Sequence, residues 1–491
     1  MSLLKTLPKK ALFPLLILAL FLSFLLSPVD TDLGWHLRYG QEIWVNQRLF
    51  RQNDLGFFLP HYQWVHSYSL YQLLTYLLFK TFNFPGLIFS ATLLLSTSFY
   101  LALKSSSSSP WRLSIFTPLL FILGWPVFNL GWRSQLFSFL GVSLVYFLLS
   151  RKKSLSFSFL PLWFLLFFLW ANLHGAFVFG LLLLSFNALE QLFLKNARQR
   201  NMLFLIIFTC LLATLLNPFG LKIYVEIFRH SWYPLNQLIA EWVPPSRHFF
   251  PLILALIITP FLLLLQKNQN PAQMLRQKNF IFLTLSWLFF LTLSLKARRH
   301  LPFLGLSSIH FLNQLFPVFP VSPVKTTTKL NQFSPLLISS GLLLFIFWKL
   351  LHLSSLSASW NDLCQDPKTN FPCQAANYLD QNPGTCKNIF NTYEWGGYLA
   401  WQLPTRKTFI DGRMPAWPNP ENQSPYTTFL EIIQARPAWN QRLESYQADC
   451  LLISSGTFLD LELNQHPHPN WTKIFANHHS VIWQKANIPN H

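Results

Sequence analysis

Two acids, Asp30 and Asp32, follow directly on an apolar run that ends near Pro28, and Trp35, His36 and Arg38 come at once behind them in DTDLGWHLRYGQ. Charged groups beside hydrocarbon are costly, so carboxylates kept there call for proton transfer, ion binding or a structural pairing. Asp32 also has an ordinary alternative role, as cap of a helix that begins near Leu33. A second costly feature is KARRH, which puts Arg298, Arg299 and His300 at the end of another apolar run. A guanidinium offers paired N–H donors that fit carboxylate or phosphate oxygens, which a lysine cannot reproduce. Other polar groups punctuate the chain in the same way: Arg133 in GWRSQ, His174 in NLHG, Asn217 in NPFG, and Glu241 in a stretch with Lys222, Arg229 and Arg247.

These residues must be positioned by apolar helices. The chain has 491 residues, of which 52% are hydrophobic, 17% aromatic and only 11% charged, too few charges to cover a soluble globule. A bilayer-spanning helix takes about 20 mostly apolar residues. Eleven segments qualify, near 11–28, 86–103, 113–130, 135–150, 155–172, 176–193, 202–217, 249–266, 279–296, 301–318 and 334–351. The expected fold is therefore a polytopic α-helical membrane protein.

The net charge of +19 comes from short basic clusters between apolar runs, which indicates membrane topology and no nucleic-acid partner. With Lys5, Lys9 and Lys10 in the cytoplasm, every alternate loop is basic: Lys104/Arg112, Arg151/Lys152/Lys153, Lys195/Arg198/Arg200, Lys267/Arg276/Lys278 and Lys325/Lys329. The first apolar run has no small-x-small cleavage site before Asp30, so it is expected to stay as an uncleaved anchor in the cytoplasmic (inner) membrane. Asp30, Asp32, Arg133, His174, Glu241 and KARRH then share the extracytoplasmic face. KARRH breaks the positive-inside bias there, or else is a cytoplasmic loop misplaced by a missed span.

Residues 1–351 form the expected transmembrane domain, and its first extracytoplasmic loop, 29–85, carries amphipathic stretches at 35–48 and 67–82 that suit helices lying in the membrane interface. Residues 352–491 are richer in Trp, Asn, Pro, Gly and Asp and hold four of the five cysteines. They are expected to be a soluble extracytoplasmic α/β or α+β domain, with NIFNTY, GGYLAW, KTFIDG and DCLLIS as short apolar runs between turns. EWGGYLAW and FIDGR read as two strands with turns. Disulfides are expected in such a domain. Cys373 with Cys386 closes a short segment and is the preferred pair, which leaves Cys364 with Cys450. No zinc-type cysteine pair occurs.

An acidic motif just after the first span, a long first loop with two amphipathic helices, a multi-span body and a C-terminal domain together resemble the GT-C superfamily of integral-membrane glycosyltransferases, which includes protein mannosyltransferases, the aminoarabinose transferase and oligosaccharyltransferases. More closely, DTDLGWHLRYGQ, WVHSYSLYQLL, ANLHG, LNPFG, RRHLPF and YEWGGYLAWQLP…FIDGR resemble a group of bacterial membrane proteins with a D-x-D-x-x-W-H motif. The resemblance implies transfer of a sugar, usually with inversion, from a polyprenyl-phosphate or diphosphate carrier to a protein, lipid or glycan acceptor at the outer membrane face. It makes Asp32 the general base, with Asp30 as helper, metal ligand or the base itself. Some members need a divalent metal (Mg or Mn) and others none, so two acids leave a metal open. Arg298, Arg299, His300 and Arg133 would hold the donor phosphate, and His36, His66, His174 and Glu241 would support the site or the acceptor. His174 also reads as a packed interhelical residue, Glu241 as a partner of Arg247, and Asp411 and Arg413 as acceptor contacts. A ligase or polymerase of lipid-linked glycans is the nearest enzymatic rival. A flippase or other transporter fits less well, since no related halves or paired broken helices occur.

Overall fold

The computed structural model describes residues 2–106, 110–232, 239–266, 271–315, 330–351, 358–417 and 424–486. Lys267, Lys325 and Lys329 of the expected inner loops lie outside the described residues. A helix overlies each of the eleven apolar segments. Among the described residues three helices are long and apolar enough to cross a membrane, Ser69–Ser106, Ala197–Leu215 and Arg247–Leu265, and the other apolar helices are shorter.

The chain divides into two compact units along lines that the linear split at 351/352 does not follow. The first unit comprises residues 1–27, 88–220 and 240–356; the second comprises 28–87, 221–239 and 357–491. The first loop thus belongs to the same unit as the tail.

The first unit is all helical. Helix Ala197–Leu215 packs on Leu160–Leu173 and Phe177–Phe193, and Leu301–Leu315 packs on Phe280–Lys296 and Pro110–Phe128. Small residues permit the close approaches, as is usual where helices pack without a hydrophobic drive from water. A Cβ on Gly141 or Gly180 would fall 2.7 or 2.6 Å from the Trp170 ring. Phe204, Phe208, Leu211 and Leu212 lie exposed at helical spacing, an apolar stripe that suits lipid.

In the second unit, helix Leu33–Val45 and a longer helix from Ser69 agree with the two amphipathic stretches, but several of their aromatic residues are turned into a protein core. Trp35, Tyr39 and Tyr71 are buried, and only the end of the first helix, at Trp44 and Val45, is exposed. The reason is a shared core: Trp35, Tyr39, Phe50, Phe58 and Trp64 of the loop pack with Phe390, Phe409, Trp417 and Leu451 of the tail. The longer helix is interrupted at Asn83, whose φ of 54° is non-helical and whose side chain accepts from Phe84 N at 2.9 Å, restarting the helix toward its apolar half.

The tail carries a five-stranded sheet in the order β2-β1-β3-β5-β4, formed by β1 (Asn388–Asn391), β2 (Lys407–Thr408), β3 (Cys450–Ser454), β4 (Trp471–Ala476) and β5 (Ser480–Lys485). β1 pairs in parallel with β2 and β3, and β5 pairs antiparallel with both β3 and β4. The first loop covers the β2 edge: Thr408 N donates to Leu55 O at 3.2 Å and Phe57 N to Thr408 O at 3.1 Å. A paired edge is closed to intermolecular addition.

Two expectations for the tail are corrected. GGYLAW is helical, Gly396–Gln402, because its glycines serve close packing rather than a strand bend. The disulfides are Cys364–Cys373 and Cys386–Cys450. Cys373 opens helix Cys373–Gln381 and Cys386 follows its end; nine residues at about 1.5 Å each make the helix longer than the ~7 Å a disulfide can bridge between Cα atoms. Cys386 instead joins Cys450, which is in register with Ile389 on the neighbouring strand.

Candidate functional site

The Asp32 side chain stands at the entry of helix Leu33–Val45. Asp32 occupies the N-cap position, yet its side chain makes no capping hydrogen bond. Its Oδ1 accepts from Trp35 Nε1 at 2.9 Å, so the third residue of the helix answers with its indole instead of its amide. The turn before the helix is organised by the other acid: Asp30 Oδ1 accepts from Asp32 N at 3.3 Å and Asp30 O from Leu33 N at 3.1 Å. Asp30 is buried and Asp32 is half-buried.

Three glycine approaches bring tail main chain onto this entry. A Cβ on Gly34 would fall 2.1 Å from Gly397 O, one on Gly397 2.5 Å from Thr31 O, and one on Gly412 1.9 Å from Asp32 Oδ1. The D-L-G, G-G and D-G-R glycines of the motifs are therefore interlocking surfaces. Gly412 is flanked by a buried ion pair: Arg413 Nε donates to Asp411 Oδ1 at 2.8 Å and Nη2 to Asp411 Oδ2 at 2.6 Å. Arg413 also donates to Asn53 Oδ1 at 3.1 Å and to the Tyr39 hydroxyl, with Tyr39, Trp64 and Trp417 ringed about its guanidinium. Both side chains are inaccessible to solvent, so the pair is a pillar of the unit and not an acceptor contact. Asn391 holds the approach to this turn by accepting from Phe409 N at 2.9 Å and donating to Ile410 O at 2.8 Å.

Tyr393, from YEWGG, joins the same neighbourhood. Burial, and then the charge of Asp32, push its phenol well above the usual tyrosine range, so it keeps its proton. His66 is stacked 4.1 Å from the Trp64 ring and accepts from Tyr68 N at 3.2 Å. Burial, with the Arg413 charge second, pushes it down to about 3, so it is a neutral core residue. His36 is buried edge-on to Tyr71 at 4.6 Å. Arg229 pairs with Glu226 at 3.0 Å and donates to the Tyr62 hydroxyl at 2.9 Å.

The first unit assembles the basic cluster. Ala297 is extended and ends helix Phe280–Lys296, and Arg298–His300 form a separate 3-10 turn, so the two arginines do not continue that helix. The turn is held by main-chain bonds, Arg298 N to Val243 O at 2.9 Å and Arg299 N to Glu241 O at 3.3 Å. Arg299 lies over the Trp242 ring at 4.5 Å and, with the Gln135 carboxamide oxygen turned toward it, donates to that oxygen through Nη2 and Nε. Glu241 accepts from Arg133 Nη1 at 2.5 Å. Its partner is therefore Arg133, where the sequence had offered Arg247. Burial raises the Glu241 carboxyl pKa, and Arg133 and Arg299 more than reverse this, holding it at about 2. His300 is pushed down to about 3 by burial and by Arg299, and its Nδ1 faces Leu293 O at 3.2 Å. A neutral imidazole whose Nδ1–H is spent on a carbonyl adds no positive charge for a phosphate. Arg133 and Arg299 thus both act on the carboxylate of Glu241.

His174 ends helix Leu160–Leu173, and its Nδ1 meets Ser138 Oγ at 2.6 Å while Trp170 Nε1 donates to that hydroxyl at 2.7 Å. Ala176 N also donates to His174 Nδ1, at 3.3 Å. Nδ1 is thus the acceptor nitrogen, and the residue ties two helices together. NPFG is a turn in which Asn217 accepts from Phe219 N at 2.8 Å.

The metal question turns on donors. Asp30 Oδ1 is committed to the turn, and among the described residues no group of three or more His, Cys, Asp or Glu is placed to hold an ion.

Sequence motifs pointed to Asp32, Arg299, Arg133 and Glu241. The partners Trp35, Gly412, Tyr393 and Asn53 had no assigned roles, since contacts made across the fold leave no local periodicity. No protein family model and no curated protein matches the chain. Among solved structures, its fold is similar to that of the archaeal oligosaccharyltransferase AglB from Archaeoglobus fulgidus, determined in complex with an inhibitory peptide and a dolichol-phosphate, with a TM-score of 0.56, 11% identity, and coverage of 92% of this chain and 70% of that one.

Proposed function

We propose that the chain is a membrane glycosyltransferase that moves a sugar from a polyprenyl-phosphate or diphosphate donor to an acceptor hydroxyl or amide at the extracytoplasmic face. The observation that carries this reading is the fold likeness across 92% of the chain to an oligosaccharyltransferase solved with a dolichol-phosphate. Two features of the chain support it. A carboxylate at the start of the first loop is withheld from capping, and Arg133 and Arg299 are gathered about Glu241. The paired tail cysteines support an extracytoplasmic tail, since such bonds persist in oxidising compartments.

In the transfer, the acceptor atom forms a bond to the anomeric carbon from the face opposite the carrier. Its proton passes to Asp32, and the bond from the anomeric carbon to the carrier oxygen breaks with its electron pair on the phosphate. A positioned base contributes roughly 100-fold or more to such a step. Guanidinium donors aimed at the departing phosphate stabilise the charge that grows there. Asp30 supports the turn that presents Asp32.

The test is sugar transfer in membranes from a panel of labelled polyprenyl-phosphate and polyprenyl-diphosphate sugars. Asp32→Asn keeps the shape and removes the base, so transfer falls by about 100-fold or more at unchanged abundance. Transfer by the wild type with full activity in Asp32→Asn would remove this mechanism and favour a ligase or polymerase. Movement of lipid-linked glycan across the membrane without any transfer would make the chain a flippase.

A further inference from the structure

We infer that Trp35 and the Asp411–Gly412–Arg413 turn form a rigid seat for the Asp32 carboxylate, which makes Trp35 and Gly412 positioning residues for the transfer; this rests on the assignment of Asp32 as the base.

An aspartate at a helix N-cap ordinarily turns its oxygens back onto the first-turn amides. Asp32 does not, and the structure shows what holds it away. On one side the Trp35 indole donates to Oδ1 at 2.9 Å. Trp35 is itself fixed, at 3% exposure, by edge contacts to Tyr39, Trp64 and Tyr68 with centroids at 6.2, 5.7 and 6.3 Å. On the other side, both Asp32 oxygens stand within 2.9 Å of where a Gly412 Cβ would be. Any side chain at 412 would expel the carboxylate from its place.

The turn that carries Gly412 is itself anchored. The Asp411–Arg413 pair closes around it, Arg413 N donates to Asp411 Oδ1 at 3.0 Å, and the same arginine reaches Tyr39, two turns along the helix that Asp32 begins. The carboxylate is thus clamped between an indole N–H and glycine main chain, with little freedom to rotate. A base held in one rotamer needs no ordering at the moment of reaction, and such placement is what positioned groups contribute to rate. One part of the chemistry therefore resides in the tail, more than 370 residues from Asp32.

The deciding experiment is a double-mutant cycle on the full chain in membranes. Trp35→Phe keeps the ring packing and deletes only the N–H. Loss of a hydrogen bond to a charged group is expected to lower kcat by roughly tenfold or more, with donor KM and unfolding temperature little changed. The same change made on Asp32→Asn should have almost no further effect, because it acts through that carboxylate. Gly412→Ala should lower kcat in the same way, and Trp35→Phe keeps the test alive if that variant misfolds. Normal kcat in Trp35→Phe beside a crippled Asp32→Asn would overturn the seat while sparing the base, as would additive losses in the double variant. Normal turnover in Asp32→Asn would instead sink the base assignment. If no donor is turned over, carbodiimide labelling of Asp32, read by peptide mass spectrometry, still decides: faster labelling in Trp35→Phe supports the seat and an unchanged rate overturns it.

Discussion

Two arginine–carboxylate pairs in this chain are built to opposite specifications. Arg413 and Asp411 are wholly buried, doubly hydrogen-bonded to each other and enclosed by Tyr39, Trp64 and Trp417, so every charge is matched inside the unit. Arg133 and Glu241 are closed only in part, the carboxylate keeping 27% exposure, and Arg299 adds a second cation to the same acid. The first arrangement is matched and inward; the second gathers two guanidiniums about one partly exposed carboxylate. A matched buried pair fixes a shape, because removing either partner strands a charge in low dielectric. A guanidinium at a partly open site, in contrast, can turn its paired donors to an anion such as phosphate. The letters R and D or E do not distinguish these cases; burial and stoichiometry do.

The comparison is broken most directly at the balanced pair. Asp411→Asn deprives the buried Arg413 charge of its direct counter-ion and should cost the second unit about 3–5 kcal/mol, while Glu241→Gln removes an acid that keeps 27% exposure and should cost the first unit less. Denaturant unfolding followed by tryptophan fluorescence reads both, and equal losses would erase the distinction. Next in size is the covalent support of the balanced region. Cys386→Ser with Cys450→Ser should lower the stability of the second unit by about 2–4 kcal/mol. Free-thiol labelling of all four tail cysteines without reductant in natively exported protein would refute the pairing.

The partly open arginine cluster is sharpened by a graded series. Arg299→Ala should weaken donor binding and transfer by roughly tenfold or more, as expected when a charged hydrogen bond is lost, and Arg299→Lys should restore only part. Arg298→Ala should be mild, since it is Arg299 that meets Glu241, Gln135 and Trp242. Equal, near-normal donor affinity in the Arg298→Ala/Arg299→Ala double variant would make the cluster purely structural.

The smallest effect concerns pH. His66 titrates at about 3 in the folded chain, below its ordinary 6.5, so between those values the unfolded chain holds the extra proton. Stability is then full above pH 6.5 and falls as pH drops, by about 1 kcal/mol between pH 7 and 5.5. His66→Phe keeps the stack on Trp64 and should flatten that limb; an unchanged slope would assign it to other groups.

Composition and hydropathy alone determined that the chain is a helical membrane protein with a distinct tail, because the apolar segments are local runs whose length and spacing are written in consecutive residues. The eleven apolar segments all became helices for that reason. Asp32 and Arg299 stood out as candidates too, since a charge at the edge of an apolar run is conspicuous without any fold. Only tertiary structure decided what those charges touch. GGYLAW could be read as a strand because nothing local shows that Gly397 must clear Thr31 O; the contact spans the chain and selects glycine for space, not for backbone freedom. The disulfides rearranged because the Cys373–Gln381 helix separates two cysteines that are close in sequence, while the sheet brings Cys386 beside Cys450. FIDGR read first as a strand with a turn and only second as an acceptor contact; that Asp411 and Arg413 pair inside a wall of Tyr39, Asn53, Trp64 and Trp417, drawn from both ends of the chain, was invisible locally. Hydropathy is a sum over neighbours and survives in one dimension; the burial and pairing of a charge depend on residues far away, so they exist only once the chain has folded.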